Sequence, residues 1–305
     1  MSRISGKQNQ NNPQISVIIP TTCEGSRSES LLRAISSIRE QEGVLVEILL
    51  ICNGNRQDGQ LLAYLERQDG LRILRIQEGN VSKARYLGVC NVNSEFFCFL
   101  DDDDEFLPGC LQQRLAVMTN DLDCEVVVTN GFYHILGTDI PMVSSNLALM
   151  INSDVCGTFL QQNWFSSPAS MFRTQRIKAE LFYFAYQYFE WTYLFFRIVS
   201  LKKKLVFDNV ITYRKYEDNP LSVSKSIEYA LAYPDFLIEV KRLKLPKDVK
   251  GAIQKKYVTA LNSQSNIYRE RGQLINAWKF HLACLMHGGW QYISYTRRLL
   301  FPFYK

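Results

Sequence analysis

The sequence predicts an α/β protein whose mostly parallel sheet is sandwiched by helices and followed by a C-terminal helical extension. Three observations carry that expectation. Short apolar runs alternate with segments of helical period through the first 120 residues, the pattern of parallel strands joined by helical crossovers. Each run is continuously apolar rather than apolar at every second residue, as strands buried on both faces require. From about residue 226 the strand pattern stops and only helical periodicity remains.

Residues 1–14 are polar and rich in Asn and Gln, the composition of a disordered tail. The run 15–19 reads as the first strand, ended by Pro20. Ser28 or Ser30 is placed to cap a helix whose apolar positions Leu31, Leu32, Ile35 and Ile38 keep the 3.6-residue period. Residues 46–52 read as the second strand, closed by Asn53-Gly54, with a short helix near 61–67 and a third strand over 71–76. Residues 81–92 read as a helix and 96–100 as the fourth strand, and Pro108 suits the first turn of a helix reaching Met118. Beyond residue 120 the order changes. Residues 125–129 and 132–136 are expected to be the two strands of a hairpin, and 137–170 a long irregular stretch rich in Ser and Asn. An aromatic helix is expected over 184–201, then short strands at 204–208 and 210–214. Arg271-Gly272 separates helical segments 250–270 and 274–286, the arms of a helical hairpin.

At 305 residues, 47% apolar and 21% charged, the chain can bury a large core. Its net charge of +5 is mild but uneven. Acids gather at 101–105. Lys and Arg gather toward the C-terminal end, interleaved with Trp290, Tyr292, Tyr295, Phe301, Phe303 and Tyr304. That segment reads either as the wet side of amphipathic helices or as a peripheral contact with an anionic membrane surface. The most apolar stretch, 181–199, is interrupted by Gln187 and by the charges of Glu190 and Arg197, which are too costly at a bilayer centre, and reads as a buried helix. Eight cysteines without a C-x-x-C pair, and no secretory leader, fit a reducing, cytoplasmic setting. Three scattered histidines form no zinc pattern. Nucleic acid is not an expected partner, because no recognition module accompanies the basic tail.

Asp101-Asp102-Asp103-Asp104 bears most directly on chemistry. Two carboxylates about 4 Å apart repel by roughly 4 kcal/mol at an effective dielectric near 20. The fold must therefore keep the acids wet, raise their pKa values or supply a cation. A hard divalent ion that bridges to a diphosphate turns this cost into function; a solvated acidic turn is the alternative. In open parallel sheets ligands bind outside the carboxyl ends of the strands. That rule gathers Pro20-Thr21-Thr22, Cys52-Asn53-Gly54 and the four acids at one edge.

Four segments in order resemble those of family 2 glycosyltransferases, whose fold is termed GT-A. They are Ile15-Ser16-Val17-Ile18-Ile19-Pro20-Thr21, Cys52-Asn53-Gly54-Asn55, Ser82-Lys83-Ala84-Arg85-Tyr86-Leu87-Gly88 and Phe99-Leu100-Asp101-Asp102-Asp103-Asp104. The resemblance spans 14–120 and, more loosely, continues to 225. It implies a nucleotide-sugar-binding half over 15–120, an acceptor-binding half over 121–225 and the helical extension over 226–305. It also implies an inverting, hexosyltransferase-type enzyme using Mn²⁺ or Mg²⁺. Such an enzyme moves a sugar from a nucleoside-diphosphate donor, UDP favoured, to a hydroxyl on a glycan or lipid-linked acceptor in polysaccharide synthesis, in the cytoplasm or at the inner face of the membrane.

The resemblance assigns roles residue by residue. Asp101 would face the ribose or base, and Asp103 would hold the metal with Asp104 in support. Asp102 would be a solvent-facing spacer, or else join the donor-side positions. Pro20, Thr21 and Thr22 would line the nucleotide pocket, Glu24 and Asn53 would approach the base, and Lys83 and Arg85 would meet phosphate or ribose oxygens; an exposed helix lysine is the alternative for Lys83. Glu190 matches the catalytic base that takes the acceptor's proton, with pairing to Arg197 or helix capping as its structural alternative. The stretch 166–173 resembles the loop beside the acceptor, with Arg173 a candidate contact. Three departures stand out: Cys52 where the family commonly has Asp, Trp191 where it has a second acid, and Tyr216 where it often has His. Near Tyr216, in the segment with Asn219 and Ser222, Arg214 or Lys215 would neutralise phosphate instead. The departures admit a second reading, a degenerate member that binds nucleotide or acts as a scaffold without turnover.

Overall fold

The computed structural model describes residues 13–184, 188–217 and 226–300. Residues 1–12 of the expected tail, Asn219, Ser222 and the aromatic residues after Leu300 lie outside the described residues. The chain forms two compact units, Met1–Leu194 with Lys203–Asp218, and Phe195–Lys202 with Asn219–Lys305.

The first unit opens with β1 (Ile15–Thr21), α1 (Ser28–Arg39), β2 (Val46–Asn53), α2 (Gly59–Glu66), β3 (Leu71–Ile76), α3 (Val81–Cys90) and β4 (Phe96–Phe99). It continues with β5 (Glu105–Phe106), α4 (Cys110–Asn120), β6 (Val126–Ile135), β7 (Thr138–Pro141), α5 (Ser145–Ile151), α6 (Val155–Gln161), β8 (Ser170–Arg173), the start of α7 (Glu190–Ser200) and β9 (Leu205–Tyr216). The sheet order is β3-β2-β1-β4-β8-β6-β9-β5, with β7 paired to β6. The first four strands run parallel, and β8 joins β4 antiparallel. Every residue of β1 and β4 is buried, which explains their unbroken apolar character. This is the GT-A architecture the resemblance implies.

Several elements differ from expectation, each for a local reason. β1 runs through Pro20 to Thr21, since a proline one residue from a strand's end costs the ladder little. The N-cap of α1 is Arg27, without a side-chain cap; Ser28 is already helical, and Ser30 Oγ donates back to the Arg27 carbonyl at 3.0 Å. The expected hairpin over 125–136 is one continuous strand, β6. Gly131 serves packing rather than a turn, because a Cβ there would lie 2.4 Å from the Tyr213 ring. The chain reverses instead at Leu136-Gly137, both at positive φ, and β7 is the returning strand. The two strands expected over 204–214 are likewise one, β9, whose pairing with β6 shifts register near Asn130. The stretch 137–170 holds β7, α5 and α6. Two of its residues are helix caps: Ser144 Oγ accepts from Leu147 N and Asp154 Oδ1 from Gly157 N, at 3.4 and 2.8 Å. The aromatic helix begins only at Glu190, after Phe189 at positive φ.

In the second unit, α8 (Ile227–Arg242) is capped by Ser226, and α9 (Lys247–Glu270) and α10 (Leu274–Met286) form the expected hairpin about Gly272, at φ +73°. A 3-10 turn over Trp290–Tyr295 leads into α11 (Thr296–Leu300). Among the described residues no helix is long and apolar enough to cross a membrane.

One close approach positions the site. A Cβ on Gly88 would come 2.5 Å from Ile18 Cγ2, so α3 lies against β1 only because residue 88 lacks a side chain. Gly88→Ala should cost about 1–3 kcal/mol by overpacking. Urea unfolding measures this, and a cost below about 0.5 kcal/mol would show that the contact relaxes freely.

Candidate active site

Parallel strands end at a common edge, and the chemistry-bearing residues follow from that. Thr21 closes β1, Asn53 closes β2, and the aspartates follow β4. Thr21 Oγ1 donates to Asp102 Oδ2 at 2.6 Å, and Asn53 Nδ2 donates to the Thr21 carbonyl at 3.1 Å. Pro20 lies in β1 just before this network. Thr22 Oγ1 is buried there without a hydrogen-bond partner.

Arginines hold the aspartate run together. Arg27 Nε donates to Asp102 Oδ2 at 3.0 Å, its Nη2 pairs with Asp102 Oδ1, and the same Nη2 reaches Asp103 Oδ2 at 2.9 Å. Arg33 Nη2 donates to the Asp103 carbonyl at 2.9 Å. Asp101 Oδ1 accepts from Arg85 Nη2 at 3.3 Å and from Ser167 Oγ at 3.0 Å. Asp102 is therefore not a solvent-facing spacer. It is 5% exposed, because both of its oxygens are engaged by Arg27 and Thr21. Asp103 is the accessible member, its side chain 45% exposed. Its partial burial and the charges of Asp101 and Asp102 push its pKa up, against Arg27. Asp104 is buried; Oδ1 accepts from Tyr216 N at 3.3 Å, and Oδ2 has no partner. Burial, then the charges of Asp101 and Asp103, push Asp104 well above the usual carboxylate range, with Lys215 opposing.

Glu190 reaches the same edge through Arg85. Arg85, Leu181, Phe182, Phe184, Trp191 and Leu194 line a small, partly open cleft together with Glu190. The Arg85 guanidinium lies 5.3 Å from the centre of the Trp191 ring, so one arginine faces Asp101, Trp191 and the cleft. Burial raises the Glu190 pKa first of all; Arg85 lowers it and Asp101 raises it further. Trp191 fills the position of the family's second acid with an indole packed on Phe99, ring centres 5.4 Å apart.

Other expected residues fall elsewhere. Lys83, at the exposed start of α3, pairs with Glu78, and Glu24 pairs with Arg56 at 3.1 Å. Arg173 is a packing residue. It donates to the carbonyls of Cys124 and Met118 at 3.1 and 2.7 Å and sits opposite Phe96, at the far end of β4 from the aspartates. Cys52 meets Cys23 with their sulfurs 2.8 Å apart, both buried. Arg214 is taken by Asp139 and Glu105, whereas Lys215 pairs with Glu217 at 2.6 Å. Tyr216 carries the Arg33 guanidinium 4.0 Å over its ring and meets the tilted His134 ring at 4.9 Å. Sequence reasoning missed Arg27, Arg33 and His134, and it singled out Ser167 only within the loop 166–173, without its bond to Asp101. A signal existed for the first two: the helix after a parallel strand starts at the strand's carboxyl edge, which puts Arg27 and Arg33 beside whatever β1 presents.

Oxygen donors remain for a hard cation. They are the Asp103 oxygen not held by Arg27 and the unpartnered Asp104 Oδ2. Such a pair suits Mg²⁺ or Mn²⁺, which fill most positions with water and phosphate oxygens. Among the described residues no group of three or more His, Cys, Asp or Glu side chains forms an all-protein cage.

Comparison with known proteins fits this geometry. The family model described as "Glycosyl transferase family 2" matches residues 16–191, more than half of the chain. The chain belongs to glycosyl transferase family 2. It is 29% identical over 140 residues to the GalNAc(5)-diNAcBac-PP-undecaprenol beta-1,3-glucosyltransferase of Campylobacter jejuni, covering 45% of this chain and 41% of that protein. The amylovoran biosynthesis glycosyltransferase AmsB of Erwinia amylovora is 31% identical over 109 residues, 34% of this chain and 35% of AmsB. The chain spans less than half the length of the curated relatives it matches. Crystallised TarS 1–349 of S. aureus shares the fold, with TM-score 0.59, 17% identity and coverage of 89% of this chain and 80% of that one. The same fragment in complex with UDP-GlcNAc gives TM-score 0.58 at 15% identity, covering 86% and 75%.

Arg27 is the countercharge of a buried carboxylate. Arg27→Ala should cost about 1–3 kcal/mol, the price of leaving Asp102 buried without its charged partner. In the Asp102→Asn background the same change should cost much less, as a double-mutant cycle by denaturant unfolding measures. Equal costs in the two backgrounds would show that the pair is not coupled.

Proposed function

We propose that this family 2 chain is an inverting glycosyltransferase that moves a hexosyl group from a nucleoside-diphosphate sugar, UDP favoured, to an acceptor hydroxyl. The observation that carries the reading is the bridge made by Arg85, which joins the metal-competent aspartate edge to the cleft of a carboxyl group raised by burial. Glu190 takes the proton of the acceptor hydroxyl as that oxygen forms its bond to the anomeric carbon. The bond from that carbon to the diphosphate breaks on the opposite face, and its electron pair leaves with the nucleoside diphosphate. Thr21, Thr22, Asn53 and Asp101 hold the nucleoside, with Pro20 and Asp102 behind them, and Arg85 draws a phosphate or ribose oxygen toward the cleft. Asp103 and Asp104 would hold a divalent cation, which would supply charge neutralisation for the leaving group. Lys83 and Glu24 lie at the periphery of this scheme, each already ion-paired.

TarS has been crystallised with UDP-GlcNAc, which supports a UDP-sugar donor here. The Campylobacter relative is named for an undecaprenol-linked acceptor and AmsB for amylovoran biosynthesis, which supports a lipid-linked or polysaccharide acceptor. Such an acceptor sets the reaction in the cytoplasm, at the inner face of the membrane.

Transfer and hydrolysis from UDP-, GDP- and dTDP-sugars with Mn²⁺ test the reading. Glu190→Gln should lower kcat at least about 100-fold while donor binding persists. Because the base must be ionised and its pKa is raised, wild-type kcat/KM should fall as pH drops through a value above the ordinary glutamate range, and that limb should vanish in the variant. Wild-type protein that binds UDP and Mn²⁺ yet turns over no donor would favour the scaffold reading instead. Separately, Asp103→Asn should reduce UDP affinity in the presence of Mn²⁺ to its metal-free value while circular dichroism stays unchanged. Undiminished Mn²⁺-dependent binding would remove Asp103 from the metal site.

A further inference from the structure

The second unit carries charge of a single sign where it ends. Between Arg271 and Leu300 there is no Asp or Glu, whereas Arg271, Lys279, Arg297 and Arg298 are all present. On α10 the positions Ile275, Lys279, Leu282 and Met286 follow one another at spacings of four, three and four, which on a helix turning about 100° per residue makes a single stripe. The opposite face, with Ala277, His281 and Cys284, is buried. The stripe itself is not: Ile275 is 88% and Met286 84% exposed. The segment beyond α10 repeats the arrangement. Tyr295 and Leu299 pack against Ala277, and Trp290, Ile293 and Leu300 are left in water, Trp290 at 64% exposure. His281 Nε2 lies 2.8 Å from Thr296 Oγ1, which ties α10 to α11.

Large apolar side chains grouped outside a core mark a surface that meets a partner. Here the apolar groups come with cations and with no anion, so the partner that satisfies both is a sheet of anionic headgroups over acyl chains. Arginine and lysine keep their charged ends among phosphates while their stems follow the apolar residues inward.

We propose that the exposed face of α10 and of the segment 290–300 docks the chain in plane on an anionic lipid bilayer. Ile275, Leu282, Met286, Trp290 and Ile293 enter the acyl boundary, and Lys279, Arg297 and Arg298 meet the headgroups. The contact is peripheral. It is also independent of the transfer chemistry proposed above, because it is read with no donor present.

The test is flotation of the full chain with vesicles of phosphatidylcholine, alone or mixed with phosphatidylglycerol. Partitioning should be at least about tenfold stronger on the anionic vesicles and should fall with added salt. Met286→Glu with Trp290→Glu should abolish it, while Arg297→Ser with Arg298→Ser should remove the preference for phosphatidylglycerol. Both variants should keep the wild-type circular dichroism melt and UDP affinity. Equal binding to neutral and anionic vesicles overturns the proposal, as do variants that float like wild type. So does a second copy covering the face: self-association in analytical ultracentrifugation, abolished by Met286→Glu, with no vesicle binding. A chain that fails every transfer assay but floats with anionic lipid leaves this inference standing.

Discussion

The strand-end edge depends on how four adjacent carboxylates are kept together. Left to themselves they would repel strongly enough to splay the turn. The fold gives each a different environment instead. Asp102 is pinned by Thr21 and Arg27, Asp101 is shared between Arg85 and Ser167, Asp104 has one oxygen on the backbone of β9, and Asp103 stays open to solvent with one oxygen on Arg27. Because Arg27 opens α1 and Arg85 lies in α3, the acids and their countercharges come from separate crossovers. The site therefore exists only when β1, β2 and β4 have closed into one sheet.

Behind the edge, aromatic packing sets the polarity of the cleft. Phe97 stacks on Phe172 at 5.1 Å, Phe99 meets Phe182 at 5.1 Å, and Trp191 closes the group over Phe99. This platform excludes water from the flank on which Glu190 emerges, which is why burial dominates its raised pKa. Gly88 belongs to the same device. By letting α3 touch β1 it fixes the height of Arg85, three residues earlier on that helix, against Asp101. One missing methyl thus links the packing of the sheet to the charge balance of the site.

The first half of the fold was legible in the sequence because its signals are local. Buried parallel strands leave continuous apolar runs, and β1 to β4 followed them closely. The second half was harder, because its residues serve partners far away in sequence. Gly131 reads as a turn until the Tyr213 ring is seen to occupy the place of its Cβ, and Ser144 and Asp154 read as loop until they cap α5 and α6. The same contrast holds at the site. Thr21, Asn53 and the aspartates could be gathered by the rule for strand ends, whereas Arg173 could not be recognised as a packing residue from its place in a motif. Asp102 reads as a spacer because its place in the aspartate run says nothing about an arginine from another element.

The departure at Trp191 is easier to understand once charge is counted around Arg85. A carboxylate at that position would compete with Asp101 for the guanidinium and would stand beside Glu190, pushing its pKa still higher through like charge. An indole offers the cation a π face without adding charge. Arg85 then keeps enough free positive character to restrain Glu190 and to meet an incoming phosphate. On the proposed reading the replacement preserves the balance that a base and an anionic donor both need, by exchanging an ionic partner for an aromatic one. The aspartate edge completes this balance from the other side. With Arg27 committed to Asp102 and Asp103, and Arg85 shared with Asp101, a diphosphate on the proposed reading would meet these carboxylates with a cation between them.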